Sequence, residues 1–180
     1  MTKALTKQGT RISEVARIRG VRLVEGSGKV RFRDVDEVPD DADIAIAHNG
    51  QIAAPPGEDG AFFVLATADV RVVPPDKKGE PFLSVRAVFE LAYRLPSGFV
   101  ADRGELDAFA GVNGVFNAWP YFREFVQSMT TRMNVPPIVL PLFRSPKQKV
   151  GKALNAETPD AKAAGEEKTH ESKRSRQLKT

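Results

Sequence analysis

The chain has 180 residues, of which 41% are hydrophobic and 28% charged, and its formal net charge is +4. These values predict one soluble domain with a tail, and no apolar run is long enough to cross a bilayer, so we expect a cytoplasmic protein without membrane insertion. The chain has no cysteine and only two histidines, which excludes disulfides, thiolate metal sites and cysteine nucleophiles and argues against a multi-histidine metal centre.

The net charge is concentrated at the C-terminal end. Residues 145–180 contain nine Lys or Arg, five Asp or Glu and no aromatic residue. Such a segment buries too little apolar surface to offset the entropy of ordering. We therefore predict a flexible N-terminus over 1–10, one domain over 11–144 and a disordered basic tail over 145–180. Because no aromatic residue is interleaved with the tail's charges, a solubilising role is favoured and nucleic acid is not predicted as a partner.

The first third of the domain predicts short strands and turns. Residues 11–24 mix apolar side chains with arginine and predict a strand with a helical turn at its start. Gly26 and Gly28 predict a β-turn, after which 30–35 resumes as a strand. A phosphate-binding loop over Gly26–Lys29 is rejected, because the motif requires a glycine where Leu23 stands. Asn49-Gly50 is a hairpin signal after a further strand.

The middle of the domain gives the clearest periodicity. Residues 61–73 are rich in β-branched and aromatic side chains, and 82–95 alternate between apolar and polar residues over fourteen positions. Period two predicts antiparallel strands with one buried face. Polar residues of matching parity in the two segments, such as Asp69 and Arg86, are expected to pair across the other face.

Two helices and an extended segment complete the domain. A short helix is predicted over 102–110 and ended by 112–114, and a longer one over 117–134 begins with Pro120 in its first turn. Its apolar face recurs at helical spacing, and the prolines after it require an extended 136–143. The fold class is therefore α+β: an antiparallel sheet of about four strands with one main helix packed on it.

Chemistry-bearing clusters are few. His48 beside a turn is most simply a surface histidine, because no nucleophile-elbow sequence accompanies it. Asp40, Asp41 and Asp43 lack the glycine and distal glutamate of a calcium loop and are interpreted as a solvated acidic loop. We therefore assign no catalytic residue, no metal and no cofactor, and we expect that the protein is not an enzyme.

The stretch from Trp119 to Leu140 carries a specific pattern. An aromatic-Pro-Tyr-x-Arg-Glu run (119–124) precedes an apolar helix, the basic Arg132 and the Pro-Pro-hydrophobic run 136–138. This pattern, together with the upstream order of strands, resembles the SecB family of export chaperones. The resemblance extends in layout over residues 11–143, and about 22 residues carry the motif itself.

The resemblance implies a function and a set of partners. Family members are ATP-independent holdases that assemble as homotetramers, a dimer of dimers, and hold non-native polypeptides in hydrophobic grooves. The clients would be preproteins for export or, in one branch, the unstable antitoxin of a toxin–antitoxin system. This chain lacks the family's Cys- and His-rich zinc tail and an acidic sheet face, which argues against docking on the SecA motor. The alternative is a structural scaffold that keeps the fold without holding clients.

The client groove is expected where the connection 99–119, the main helix and the extended segment near Pro137 meet. The aromatic residues on the glycine-punctuated connection are expected to be exposed, with burial in an ordinary core as the alternative. Methionines would let the surface adapt to varied chains. The predicted client-binding residues are Phe109, Phe116, Trp119, Tyr121, Phe122, Phe125, Met129, Met133 and Ile138.

Overall fold

We describe the protein from a computed structural model that defines residues 11–76 and 79–143. The predictions of a flexible N-terminus over 1–10 and of a disordered tail over 145–180 lie outside these residues. The described part is α+β, as predicted.

Four long antiparallel strands form one sheet. They are β1 (Arg17–Val30), β2 (Asp43–Ala54), β3 (Ala61–Val73) and β4 (Leu83–Arg94), and their order across the sheet is β1-β4-β3-β2. The first and second strands are therefore the two edges, and the connection between them crosses the end of the whole sheet. A helical turn at residues 11–15 precedes β1, as predicted.

The two central strands carry the alternation that the sequence predicts. Every second residue of β3 from Phe62 to Val70 is buried, and the odd-numbered residues of β4 are buried with them. On the other face, Asp69 lies opposite Arg86 in the β3–β4 register, and their closest charged atoms are 3.9 Å apart. The predicted pairing of polar side chains across this open face is thus confirmed.

Two helices cover the buried face of the sheet. They are α1 (Arg103–Phe109) and α2 (Val115–Arg132). Helix α1 begins with a capping box, in which the Asp102 carboxylate accepts from the Glu105 backbone N–H (2.8 Å) and the Glu105 carboxylate accepts from that of Asp102 (3.1 Å). Glu105 is buried and also pairs with Arg11 at 2.7 Å, which attaches the N-terminal helical turn to α1.

The junction between the two helices differs from the prediction. A π-helical turn, Ala110–Gly114, joins α1 to α2, so residues 112–114 do not end the helical path and Pro120 lies inside α2 rather than in its first turn. The physical reason is close packing, because a Cβ on Gly114 would lie 2.6 Å from the Val64 side chain. Glycine therefore lets the wide turn rest directly on the sheet.

Three glycines taken as turn signals lie inside strands. Gly26 and Gly28 belong to β1, and Gly50 belongs to β2, so the predicted β-turn and the predicted Asn49-Gly50 hairpin are both wrong. A Cβ at Gly26 would lie 2.7 Å from the Phe125 ring, and a Cβ at Gly50 would lie 2.0 Å from the Ala110 carbonyl oxygen. Here glycine serves close approach of the helices to the sheet, not chain reversal.

Replacing Gly50 by alanine should destabilise the fold by about 3 kcal/mol, because the added methyl group meets backbone that cannot rotate away. Urea unfolding followed by circular dichroism measures this. The matched control is Gly111→Ala, which meets nothing within 4 Å and should stabilise the helical path by up to about 1 kcal/mol. Equal stability of the two variants would contradict the packing account.

Candidate functional site

Helix α2 divides its side chains among three environments. Trp119 and Phe122 are buried against the sheet, whereas Phe116 is 50% exposed and Tyr121 is also exposed. Phe125 and the two methionines of the helix end are half-buried. The predicted apolar face of the helix therefore mixes core residues with residues open to a ligand.

Phe109 does not lie on an exposed connection, contrary to the prediction. It ends α1, is 2% exposed and packs edge-on against Phe62 and Tyr93 with ring centroids 5.7 and 5.0 Å apart. Phe109 lies among the buried residues of α1, which pack with the core of the sheet. Trp119 is also buried, so its predicted exposure is wrong as well. Of the three aromatic residues predicted to be exposed, only Phe116 is open to solvent.

Side chains of α2 pack on the edge strand β1 along an apolar seam. Phe125 lies over Gly26, while Met129 and Met133 lie over Gly28, where a Cβ would be 2.8 and 2.7 Å from their terminal methyl carbons. Because β1 has no side chain at these two points, the Phe125 ring fills the space over Gly26 and the flexible methionines fill the space over Gly28. The seam thus has a floor of strand backbone and a wall of adaptable side chains.

β1 and α2, which border the seam, are each followed along the chain by residues that line an apolar pocket of about 220 Å³. The connection between β1 and β2 forms one wall and the chain after α2 forms the other, and Leu83 and Val72 belong to the sheet beneath. Eleven described residues line it, and none of them is charged. They are Phe32, Val35, Val38, Pro39, Ala42, Ile44, Val72, Leu83, Val135, Pro136 and Ile138.

The extended segment after α2 is held in place by side chains of the helix. The Thr130 hydroxyl accepts from the Ile138 backbone N–H at 3.2 Å, and the Trp119 indole N–H donates to the Pro141 carbonyl oxygen at 2.7 Å. Phe143 then packs against the rings of both Trp119 and His48, with centroids 5.1 and 5.2 Å away. His48 is therefore an aromatic contact of the segment on the helix side of β2.

The structure brings together only part of the predicted site. Phe125, Met129 and Met133 line the seam, and Ile138 lines the pocket at its end. The sequence reasoning missed the pocket residues of the β1–β2 connection, which are Phe32, Val35, Val38, Pro39 and Ala42. The signal that could have found them is the presence of valines and a proline inside an acidic loop.

Tyr93 is a buried titratable residue beneath the helices. Burial raises the pKa of the Tyr93 hydroxyl, and its hydrogen bond from the Asn117 amide (2.9 Å) opposes this effect.

Within residues 11–76 and 79–143, no group of three or more metal-ligating side chains occurs. In that same part of the chain, none of the helices combines the length and apolarity needed to cross a membrane.

Comparison with known proteins gives a consistent result. The chain is 28% identical over 158 residues to the SecB-like chaperone Rv1957 of Mycobacterium tuberculosis H37Rv and to the SecB-like chaperone MT2006 of strain CDC 1551, covering 79% of this chain and 85% of each relative. A solved structure of Mycobacterium tuberculosis Rv1957, in complex with a ChAD peptide from the Rv1956 HigA1 antitoxin, matches with a TM-score of 0.66 at 23% identity, covering 78% of this chain and 99% of that one. No family model matches the chain.

The chain is thus similar to SecB-like chaperones in sequence and in fold. The predicted family resemblance is confirmed, as is its fold of a four-stranded antiparallel sheet with one main helix. The curated relatives carry chaperone names rather than enzyme names. In this SecB-like fold the seam and the pocket lie on the helix-covered side of the sheet.

Phe109 is a core residue and Phe116 is half exposed, so serine variants of the two should differ in stability. Phe109→Ser should lower the free energy of unfolding by about 3–5 kcal/mol, because it leaves a cavity and buries a hydroxyl group. Phe116→Ser should change it by less than about 0.5 kcal/mol, because the side chain is half exposed. Urea unfolding of both variants distinguishes them, and a large loss for Phe116→Ser would place that ring in the core.

Proposed function

We propose that this protein is an ATP-independent chaperone that holds an extended apolar segment of a non-native polypeptide. The observation that carries the proposal is the uncharged pocket between the β1–β2 connection and the segment after α2. Its volume of about 220 Å³ suits one bulky apolar side chain. In the adjoining seam, the half-buried side chains of Phe125, Met129 and Met133 present apolar surface on which the following side chains of the client can pack.

The surface suits binding that tolerates different sequences. Each bulky side chain fully buried by a partner contributes about 1.5–3 kcal/mol, so a few weak subsites suffice for tight binding. Val35 and Ile44 line the pocket yet are largely exposed, with Ile44 at 53%. Such apolar surface is available to a ligand without unfolding of the domain.

An antitoxin is the client class that we favour over preproteins. Rv1957, which shares the fold, has been solved with a peptide of the HigA1 antitoxin. The open face of the sheet is not acidic in this chain, since Arg22 pairs with Glu90 at 2.8 Å and Arg71 with Asp69 at 2.8 Å. A basic docking segment of an export motor would find no acidic surface there. The proposal includes the cytoplasmic location expected from the sequence.

We also propose that the subunits form a homotetramer, with β1 as the first contact. β1 is an edge strand of 14 residues, and it exposes Ile18, Leu23 and Val24. A long edge with exposed apolar side chains is a template for pairing with another chain. Two-fold pairing of this edge would join two sheets, and a second contact would complete a dimer of dimers.

Client binding should depend on the exposed pocket residues. The double variant Val35→Ser/Ile44→Ser should lose at least tenfold in affinity for a fluorescent extended peptide with alternating aromatic residues, because about 1.4 kcal/mol of apolar burial corresponds to that factor. Fluorescence anisotropy measures this loss. The same variant should suppress aggregation of a chemically unfolded protein less well, without added nucleotide.

The matched control is Val100→Ser, which alters an 80% exposed valine that does not line the pocket. It should bind the peptide as the unchanged protein does. If the unchanged protein neither binds the peptide nor suppresses aggregation, the chaperone proposal is wrong and the scaffold alternative gains support. Equal losses in both variants would place the client elsewhere.

The edge strand should control assembly. Light scattering of the unchanged protein should give about four times the subunit mass of 19.7 kDa. A lysine in place of Val24 places a charge on the proposed β1 contact and should lower that mass, whereas Val100→Lys should not. A monomeric mass for the unchanged protein at micromolar concentration would refute the tetramer.

A further inference from the structure

Three arginines gather at the end of the sheet farthest from the apolar pocket. Arg17 of β1 lies directly opposite Arg94 of β4, and Arg19 lies in the β-bulge between Ile18 and Gly20. All three line one cavity of about 460 Å³. Leu83, which lines the apolar pocket, begins β4 and Arg94 ends it, so at about 3.3 Å per residue the two cavities are roughly 36 Å apart.

The placement of Arg17 opposite Arg94 brings two like charges together at this end of the sheet. Like charges directly opposite each other in an antiparallel pair destabilise the sheet. The bulge adds a third charge by changing the direction of the side chains around it, a role that bulges often play beside functional sites. Arg17 and Arg19 are exposed and form no ion pair within the described part of the chain, so their guanidinium groups are available to an anionic ligand.

The lining of this cavity contains more arginine residues than acidic residues. Asp59 accepts from the Ala61 backbone N–H at 3.0 Å and from Arg94 at 2.9 Å, and these contacts, the backbone one foremost, lower the pKa of its carboxyl group. Asp59 therefore fixes the guanidinium of Arg94 at the rim. Glu58 is the other acidic residue of the lining, so three positive charges face two negative ones.

We propose that this arginine cavity binds the carboxylate side chains of an acidic peptide segment, at a site separate from the apolar client pocket. Planar guanidinium groups match carboxylates with paired hydrogen bonds, which makes Arg17 and Arg19 the principal contacts. A short acidic segment suits this cavity better than a nucleic acid strand, because single-strand binding uses a continuous basic groove with stacking aromatic side chains and none of the nine residues that line the cavity is aromatic. The site does not rest on the chaperone proposal.

The experiment uses the full chain and a fluorescein-labelled peptide of six glutamates flanked by glycines. Binding is measured by fluorescence anisotropy at low and at physiological salt. Arg17→Ala/Arg19→Ala should weaken binding at least tenfold. Glu58→Gln should strengthen it about threefold, because one repelling carboxylate is removed from the wall; a merely structural role for the cavity would not produce this gain.

The control is Lys29→Ala/Arg33→Ala, which removes the same charge near the far end of β1. It should bind the peptide within twofold of the unchanged protein, and circular dichroism should show both double variants folded. Equal losses in the two double variants, or no binding by the unchanged protein, would overturn the proposal. Tighter binding of a labelled single-stranded oligonucleotide, lost on the same substitutions, would overturn it in favour of nucleic acid.

Discussion

The close crossing of α2 over the sheet is the constraint on which the rest of the structure depends. The helix runs from His48 of β2, which contacts Trp119, across β4, where Phe122 meets Phe89 at 5.1 Å, to Gly26 of β1. It can pass over both edge strands because glycines stand where a side chain would collide. One helix thereby covers all four strands.

The same crossing creates the proposed client surface. Because α2 ends above the glycines of β1, its last turn leaves half-buried methionines over strand backbone. The chain must then return across the end of the sheet, and the Thr130 hydroxyl and Trp119 indole hold it there. The apolar pocket is the space between this returning segment and the β1–β2 connection.

Much of this architecture could be predicted from periodicity. The alternation in 82–95 and the helical spacing after Trp119 gave the central strand and main helix, because both patterns reflect burial on one face. Glycines were interpreted wrongly, since Gly26, Gly28 and Gly50 serve long-range packing that local turn rules do not register. The predicted exposure of Phe109 was wrong for a similar reason, because that ring is buried by contacts with the distant Phe62 and Tyr93.

Site-specific photocrosslinking tests the central claim, that the client lies in the pocket at the end of the seam. A photoreactive amino acid is placed at Val35, on the pocket wall, or at Val100, which does not line the pocket, and the protein is irradiated with an unfolded client. The account predicts a client adduct from position 35 and none from position 100. An adduct from position 100 with none from position 35 would contradict it.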